Sequence, residues 1–161
     1  MKNVDINKNA RLSEHFTLAE MCKTSAKTAD GNIPSHVHIE NLKRLCSWLE
    51  RLRQKYNLNI KEKIKNKNDE PIIINSGYRS PAVNKAVGGA QNSNHLTGCA
   101  ADIRCLGIEQ ALRYATTLLD ISDESKEDFD ELLIEKSTKS IWVHFAVRPM
   151  DNRRKVKFLK K

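Results

Sequence analysis

The chain has 161 residues, of which 39% are hydrophobic and 30% charged, and its formal net charge is +8 at pH 7. The length and composition predict one globular domain over 1–161 with a core of its own. No apolar run approaches the length needed to cross a bilayer, which excludes membrane insertion. Residues 1–7 lack the apolar core of a signal peptide, so we expect the chain to be made in the cytoplasm.

The positive charge suits either a nucleic-acid partner or an anionic cell surface. Basic residues cluster in 61–67 and in 148–161. The first cluster has no aromatic residues that could stack on bases, so a solvated loop is the better interpretation. We therefore expect no nucleic-acid partner.

The first third of the chain is predicted to be mainly helical. Residues 1–15 are polar and predict a loosely ordered amino-terminal arm. Thr17 followed by Glu20 forms a capping box, which predicts a short helix. A long helix is predicted from Ser35 to Lys55, because apolar residues recur there at helical spacing. Those residues are Ile39, Leu42, Leu45, Cys46, Leu49 and Leu52.

The middle of the chain mixes loops, a strand and two helices. A charged loop over 57–70 precedes a strand over 71–75. A short helix over 81–87 has Ser80 as its N-cap and proline at its first position. The third clear helix is predicted over 108–119.

The last third predicts a β-hairpin. An acidic connection over 122–128 leads to strands over 132–135 and 142–147. The basic tail, 151–161, is compatible with one more short strand. The order of elements predicts an α+β fold, with helices packed on a small, mainly antiparallel sheet.

One segment combines a histidine and an aspartate around a glycine. His95 and Asp102 are too far apart for one helical face, but a turn at Gly98 and a strand through Asp102 would bring them together. His144 follows on a late apolar strand. Two imidazoles and one carboxylate leave a fourth position open for water, which is typical of catalytic zinc. The alternative interpretation is that His144 is a core histidine and the turn an ordinary one.

The four cysteines contain no Cys-x-x-Cys pair and predict buried thiols rather than disulfides. Cys99 lies within the histidine–aspartate segment. Strand alternation places it on the face opposite Asp102, so we expect no zinc ligand there.

Three motifs occur in a known order. The first is Ser-x-His-x-x-Gly-x-Ala-x-Asp, filled by Ser93, His95, Gly98, Ala100 and Asp102. The second is Ser-Gly-Tyr-Arg-Ser at 76–80, and the third is Trp-Val-His at 142–144. Between about Ile72 and Val147, the chain thus resembles the zinc D-Ala-D-Ala carboxypeptidase family, peptidoglycan D,D-peptidases related to the hedgehog amino-terminal domain and to lysostaphin-type enzymes.

The resemblance implies a hedgehog/D,D-peptidase-like fold with one zinc ion per chain in a groove. The metal ligands it implies are His95, Asp102 and His144. It also places a catalytic glutamate on the strand before His144, where Glu135 is the candidate that activates zinc-bound water.

Glu135 has competing interpretations. It would otherwise be an exposed charge at the end of the hairpin, paired with Lys136 or Lys139. Asp130 and Glu131 are weaker candidates for the base, because both resemble surface residues that precede the apolar run.

Three further residues have expected roles at the site. Arg79 is suited to bind a substrate carboxylate or a polarised carbonyl, because its planar guanidinium group can donate two parallel hydrogen bonds. The alternative is a capping or salt-bridging arginine. Ser93 is expected to hold the substrate backbone or to support His95. Trp142 stands where several relatives have a histidine and can line the pocket, but it cannot act as acid or base.

Together these observations predict a monomeric zinc metallopeptidase that hydrolyses a peptide bond in peptidoglycan stem peptides. It would be a D,D-carboxypeptidase or a related endopeptidase, delivered to the cell wall by a phage-type or other route. The alternative is a non-catalytic, zinc-containing binding module of the same fold.

Overall fold

The computed structural model describes residues 7, 9–65 and 67–161. Within them the helices are α1 (Leu18–Met21), α2 (His36–Lys63), α3 (Pro81–Ala86), the 3₁₀ helix η1 (Asn94–Thr97) and α4 (Ile108–Ser125). The strands are β1 (Ile74–Ser76), β2 (Ala100–Cys105), β3 (Glu131–Lys136), β4 (Ile141–Ala146) and β5 (Lys155–Lys160). No helix in these ranges is both long and apolar enough to span a membrane.

The strands form one sheet in the order β1-β2-β4-β3-β5. Every neighbouring pair is antiparallel except β3 and β5, which run parallel. The basic tail contributes β5 and extends the sheet beyond the hairpin. The predicted α+β domain with a mainly antiparallel sheet is confirmed.

Helices α2 and α4 cover one face of the sheet. Their buried side chains form the core with the sheet residues Ile103, Val143 and Phe145, all of them fully buried. Successive residues of a strand point to opposite faces, so Asp102 and His144 project from the other face. The core and the polar face that carries the site are therefore opposite sides of the same strands.

Two helices are longer than predicted. Helix α2 continues to Lys63, because Tyr56 and Ile60 extend its buried stripe into the segment expected to be a charged loop. Helix α4 continues past the predicted end at residue 119, where Ile121 and Ser122 are buried, and through most of the expected acidic connection. The spacing of the apolar residues thus predicted both helices to end too early in the chain.

The predicted helix starts are confirmed. Thr17 and Glu20 form a capping box at α1, and Ser80 accepts a hydrogen bond from Val83 N at α3. The described part of the arm is held against α2, since Ser13 Oγ lies 2.6 Å from Glu50 Oε1. The rest of the arm, residues 1–6 and 8, lies outside the described residues.

The four cysteines, all among the described residues, form no disulfide bonds, as predicted. Three of them are buried, and burial raises the pKa of Cys105 to about 11. Cys99 Sγ is directed at the backbone oxygen of Thr97, at 3.9 Å.

Candidate active site

His95 is held in a fixed orientation by η1 and by the segment before α3. Ser93 caps η1, and its Oγ accepts a hydrogen bond from His95 N at 3.2 Å. His95 is 2% exposed, and Nδ1 of its imidazole lies 2.6 Å from Gly77 O. A carbonyl oxygen only accepts hydrogen bonds, so Nδ1 carries the proton. The lone pair of His95 is therefore on Nε2.

The turn between His95 and Asp102 requires a glycine. Gly98 ends η1 with φ of 72°, a left-handed conformation that glycine adopts without strain. A Cβ at this position would lie 2.6 Å from His38 O in α2. The chain can therefore pass close to α2 and enter β2 two residues later, as the sequence predicted.

Strand pairing brings the second histidine to the aspartate. Asp102 on β2 lies directly opposite His144 on β4. Asp102 Oδ1 lies 2.9 Å from His144 Nδ1 and 3.3 Å from His95 Nε2. The two imidazole rings meet edge-on, with centroids 5.1 Å apart. The three predicted ligands thus converge, and we call them the metal triad.

The metal triad fits a bound ion. One nitrogen or oxygen atom from each residue lies within 4.8 Å of the others. A tetrahedral ion with bonds of about 2.0–2.2 Å holds its ligand atoms about 3.4 Å apart, so small side-chain adjustments suffice. Two imidazole nitrogens and a carboxylate oxygen are a donor set that zinc commonly uses.

The electrostatics of the metal triad favour an ionised Asp102. Burial alone would raise the pKa of this carboxyl, but the adjacent His95 and His144 hold its pKa well below the usual range. Burial lowers the pKa of His144, whereas hydrogen bonds to Asp102 and Glu131 outweigh that effect and raise it to about 9. In the metal-free protein the triad therefore favours a proton on His144, which a metal ion would displace.

Asp130 and Glu131 are not surface residues, contrary to the sequence prediction. Asp130 is fully buried, and the side chain of Glu131 is 13% exposed. Glu131 Oε2 lies 3.2 Å from His144 Nε2. The hydrogen bond to His144 holds the pKa of Glu131 well below its ordinary value against the effect of burial. Alternation along β3 could have placed Glu131 on the same face as His144, but the cations that neutralise it are remote in sequence.

Glu135 lies on the face of the sheet that carries the metal triad. It is opposite Trp142, while Leu133 is opposite His144, so Glu135 is a diagonal neighbour of His144. Backbones of diagonal neighbours are about 7–8 Å apart, within reach of a long side chain.

The surroundings of Glu135 are not those of an exposed charge at the end of the hairpin, which was the alternative interpretation. Glu135 is 5% exposed, and its carboxylate pairs with Lys161 Nζ at 2.8 Å. It is therefore neither an exposed hairpin-end charge nor, in this structure, the partner of Lys136 or Lys139. Its catalytic role stays a prediction.

Arg79 is bound to the metal triad itself. Its Nη2 donates to Asp102 Oδ2 at 2.7 Å, and its Nε donates to Ser76 Oγ at 2.8 Å. These contacts use two of the five guanidinium donors. Arg79 is thus a salt-bridging arginine, which was the alternative interpretation, and its substrate-binding role stays a prediction.

The other predicted residues border the same face. Trp142 is partly buried on β4, and Lys161 Nζ lies 5.7 Å from its ring centroid. Ser93 supports His95 through the cap of η1, which is one of its two expected roles. Cys99 lies outside the metal triad, as expected from strand alternation.

The comparisons with known proteins agree with this geometry. A segment of 35 residues is 54% identical to the zinc D-Ala-D-Ala carboxypeptidase of Streptomyces albus G. That segment is 22% of this chain and 14% of the relative, so the likeness covers a small part of that protein. The sequence also matches peptidase M15 over residues 14–144, a span that includes the whole metal triad. The chain therefore belongs to the peptidase M15 family.

Proposed function

We propose that this chain is a zinc-dependent metallopeptidase that hydrolyses a peptide bond in peptidoglycan stem peptides. The reaction would be that of a D-Ala-D-Ala carboxypeptidase or of a related endopeptidase. The convergence of His95, Asp102 and His144 into one donor set carries the proposal. Membership of the peptidase M15 family and the name of the Streptomyces relative support it.

The metal triad would hold the zinc ion through His95 Nε2, an Asp102 carboxylate oxygen and His144 Nδ1. When bound, zinc supplies a Lewis acid for the scissile carbonyl and makes water a nucleophile at neutral pH. Arg79 neutralises part of the charge on Asp102 and orients its carboxylate. The protein thus contributes three fixed ligands and an ordered second carboxylate oxygen.

Glu135 is the proposed general base and acid. Its carboxylate would accept a proton from the attacking water and return it to the leaving amine. Lys161 holds the side chain at the end of β3 in an ordered position. Trp142, directly opposite Glu135, offers the substrate one N–H donor, but it cannot exchange protons.

The net charge of the chain supports a polyanionic target. A formal charge of +8 attracts the protein to anionic surfaces and raises the encounter rate with them. Bacterial wall material is such a surface. The positive charge therefore supports an enzyme that acts on the wall, delivered there by a phage-type or other route.

The test is digestion of purified sacculi by the zinc-loaded protein, followed by mass spectrometry of the released fragments. Loss of one alanine from stem peptides indicates a carboxypeptidase, whereas cleaved crosslinks indicate an endopeptidase. Protein stripped of zinc and the Asp102→Asn variant are the controls and should give neither. If the zinc-loaded protein binds sacculi and releases nothing, the proposal is wrong and the non-catalytic binding module replaces it.

A further inference from the structure

The outer nitrogen of His144 has a buried carboxylate partner. Nε2 of the imidazole lies 3.2 Å from Glu131 Oε2, and both side chains are largely buried. On the other side of the ring, Nδ1 lies 2.9 Å from Asp102 Oδ1. The imidazole is thus held between a proposed metal ligand and a carboxylate that does not belong to the metal triad.

This arrangement sets the tautomer of His144. An ionised carboxylate only accepts hydrogen bonds, so the N–H on Nε2 donates to Glu131. Without a metal, Nδ1–H faces Asp102 in the same way. A metal ion at the triad would displace the Nδ1 proton and leave the Nε2 proton in place. His95 is arranged in the opposite sense, because its Nδ1–H donates to Gly77 O and its Nε2 faces the triad. Each histidine is therefore locked by a different outer acceptor.

Glu131 is itself fixed by three further donors. Asn94 Nδ2 lies 3.1 Å from Oε2. Lys155 Nζ and Arg153 Nη2 lie 3.1 and 3.2 Å from Oε1. Two cations on one oxygen keep the carboxylate ionised, and the four contacts occupy both oxygens. Glu131 is therefore not free to turn toward a reacting group.

Asn94 links the supports of the two histidines. It precedes His95 in η1, and its Nδ2 also lies 2.7 Å from Asp130 Oδ2. Asp130 accepts hydrogen bonds from Arg153 and forms an ion pair with Arg148, and these contacts anchor this end of β3. The orientation of Glu131 is thus determined by a network that joins η1, β3 and β5.

We propose that Glu131 is a positioning residue that holds His144 with Nδ1 directed at the metal, and that Asn94, Lys155 and Arg153 hold the Glu131 carboxylate in place for this purpose. The inference rests on the proposed metal site. It assigns to Glu131 a role distinct from that of Glu135, which lies on the same face of the sheet four residues further along the strand. Outer-shell partners of this kind typically change metal affinity by about 10- to 100-fold when they are removed.

The experiment measures zinc affinity by competition with a chromophoric chelator, in the absence of substrate. Glu131→Ala should bind zinc about 10- to 100-fold more weakly than the wild type. Glu131→Gln retains a carbonyl oxygen that can accept the Nε2–H, so it should recover most of that loss. Glu135→Ala is the matched control, because it removes a buried carboxylate from the same strand and face, and its zinc affinity should be that of the wild type. An affinity of Glu131→Ala within twofold of the wild type overturns the proposal, as does a glutamine variant as weak as the alanine variant.

A second measurement does not depend on the variants folding. In the zinc-loaded wild type, ¹H–¹⁵N spectra of the histidine rings should show His144 protonated on Nε2 and His95 protonated on Nδ1. Protonation of His144 on Nδ1 overturns the proposal. Failure of the proposed function is distinguishable, because it would appear as absent zinc or absent hydrolysis in the wild type, whereas the inference concerns the ratio between variants and the ring tautomer.

Discussion

Arg79 donates a hydrogen bond to Asp102 at 2.7 Å, so the arginine predicted to bind substrate is already bound to a proposed metal ligand. The contact uses one edge of the guanidinium, while Nε is occupied by Ser76. The remaining donors lie at the same site as the metal triad. Arg79 can therefore orient Asp102 and bind a substrate oxygen at the same time.

Arg79→Lys separates these two roles. A lysine keeps the charge but loses the planar guanidinium group. We therefore expect kcat/KM for substrates with a free carboxyl end to fall by an amount equivalent to about 1.5–3 kcal/mol of transition-state stabilisation. Zinc content should be unchanged. Amidating the terminal carboxylate of the substrate should slow the wild type strongly and the variant little. If amidation affects both equally, Arg79 orients Asp102 and does not read the carboxylate.

His144→Ala should abolish stoichiometric zinc binding. Two protein ligands remain, and the lost metal also removes its contribution to the free energy of unfolding. Metal analysis after dialysis and thermal unfolding with and without zinc measure both effects. His36→Ala is the control, since His36 is exposed at the start of α2. One zinc per chain in His144→Ala would show that the ligand assignment is wrong.

Glu135→Gln should retain zinc and lose most of the activity. The amide preserves the shape of the side chain but cannot accept a proton, and loss of a general base typically costs about 10²- to 10⁴-fold in rate. Steady-state rates on a stem peptide and the zinc content give the answer, with the exposed Glu124→Gln as control. Activity within a few-fold of the wild type would move the base away from Glu135. Glu131 and Asp130 would not replace it easily, because donors already occupy their oxygens.

Asp130 should make the protein sensitive to acid. Burial raises the pKa of this carboxyl, but the hydrogen bonds from Arg153 and Asn94 outweigh burial and lower it below its ordinary value. The unfolded state then binds more protons than the folded state below about pH 4, so the stabilisation is present above that pH and is lost as pH falls through the folded-state pKa.

The Asp130→Asn variant tests this contribution. It should be less stable than the wild type at pH 7 by about 1–3 kcal/mol, because Arg153 and Arg148 each lose the charge of Asp130 as a partner and are partly exposed. The difference should shrink as the pH is lowered below about 4 and through the folded-state pKa of Asp130. Urea unfolding at a series of pH values measures it. A difference that stays constant over this range would assign the stabilisation to shape rather than to charge.

Local signals predicted the metal triad well. A glycine turn and strand alternation are properties of neighbouring residues, so they placed His95 and Asp102 together, and the late apolar strand placed His144 in the sheet. The surroundings of the triad could not be predicted in this way. The burial of Glu131 depends on Arg153 and Lys155, which reach it only after β5 has joined β3. Charged residues without visible partners resemble surface residues in a sequence.

The helix ends were predicted wrongly, and the contact between Arg79 and Asp102 was not predicted, for related reasons. The extension of α2 depends on whether Tyr56 and Ile60 pack against other elements of the protein, and such tertiary contacts are not visible in the local sequence. The contact between Arg79 and Asp102 crosses from one motif to another, and neither motif alone indicates it. Prediction was therefore accurate where a residue's position follows from its neighbours in the chain.

Within the part of the chain that the structure describes, no strand pairs with the outer side of β5, next to the exposed side chains of Val156 and Phe158. Such an edge is a template for pairing with another chain, and natural proteins protect it with lysines. Lys157 and Lys160 are exposed on this strand. Their positive charges repel the same strand of a second copy of the chain, and this repulsion weakens as the salt concentration rises. Replacing both by threonine should therefore produce concentration-dependent association in light scattering, and the unaltered chain should approach the same behaviour only at high ionic strength.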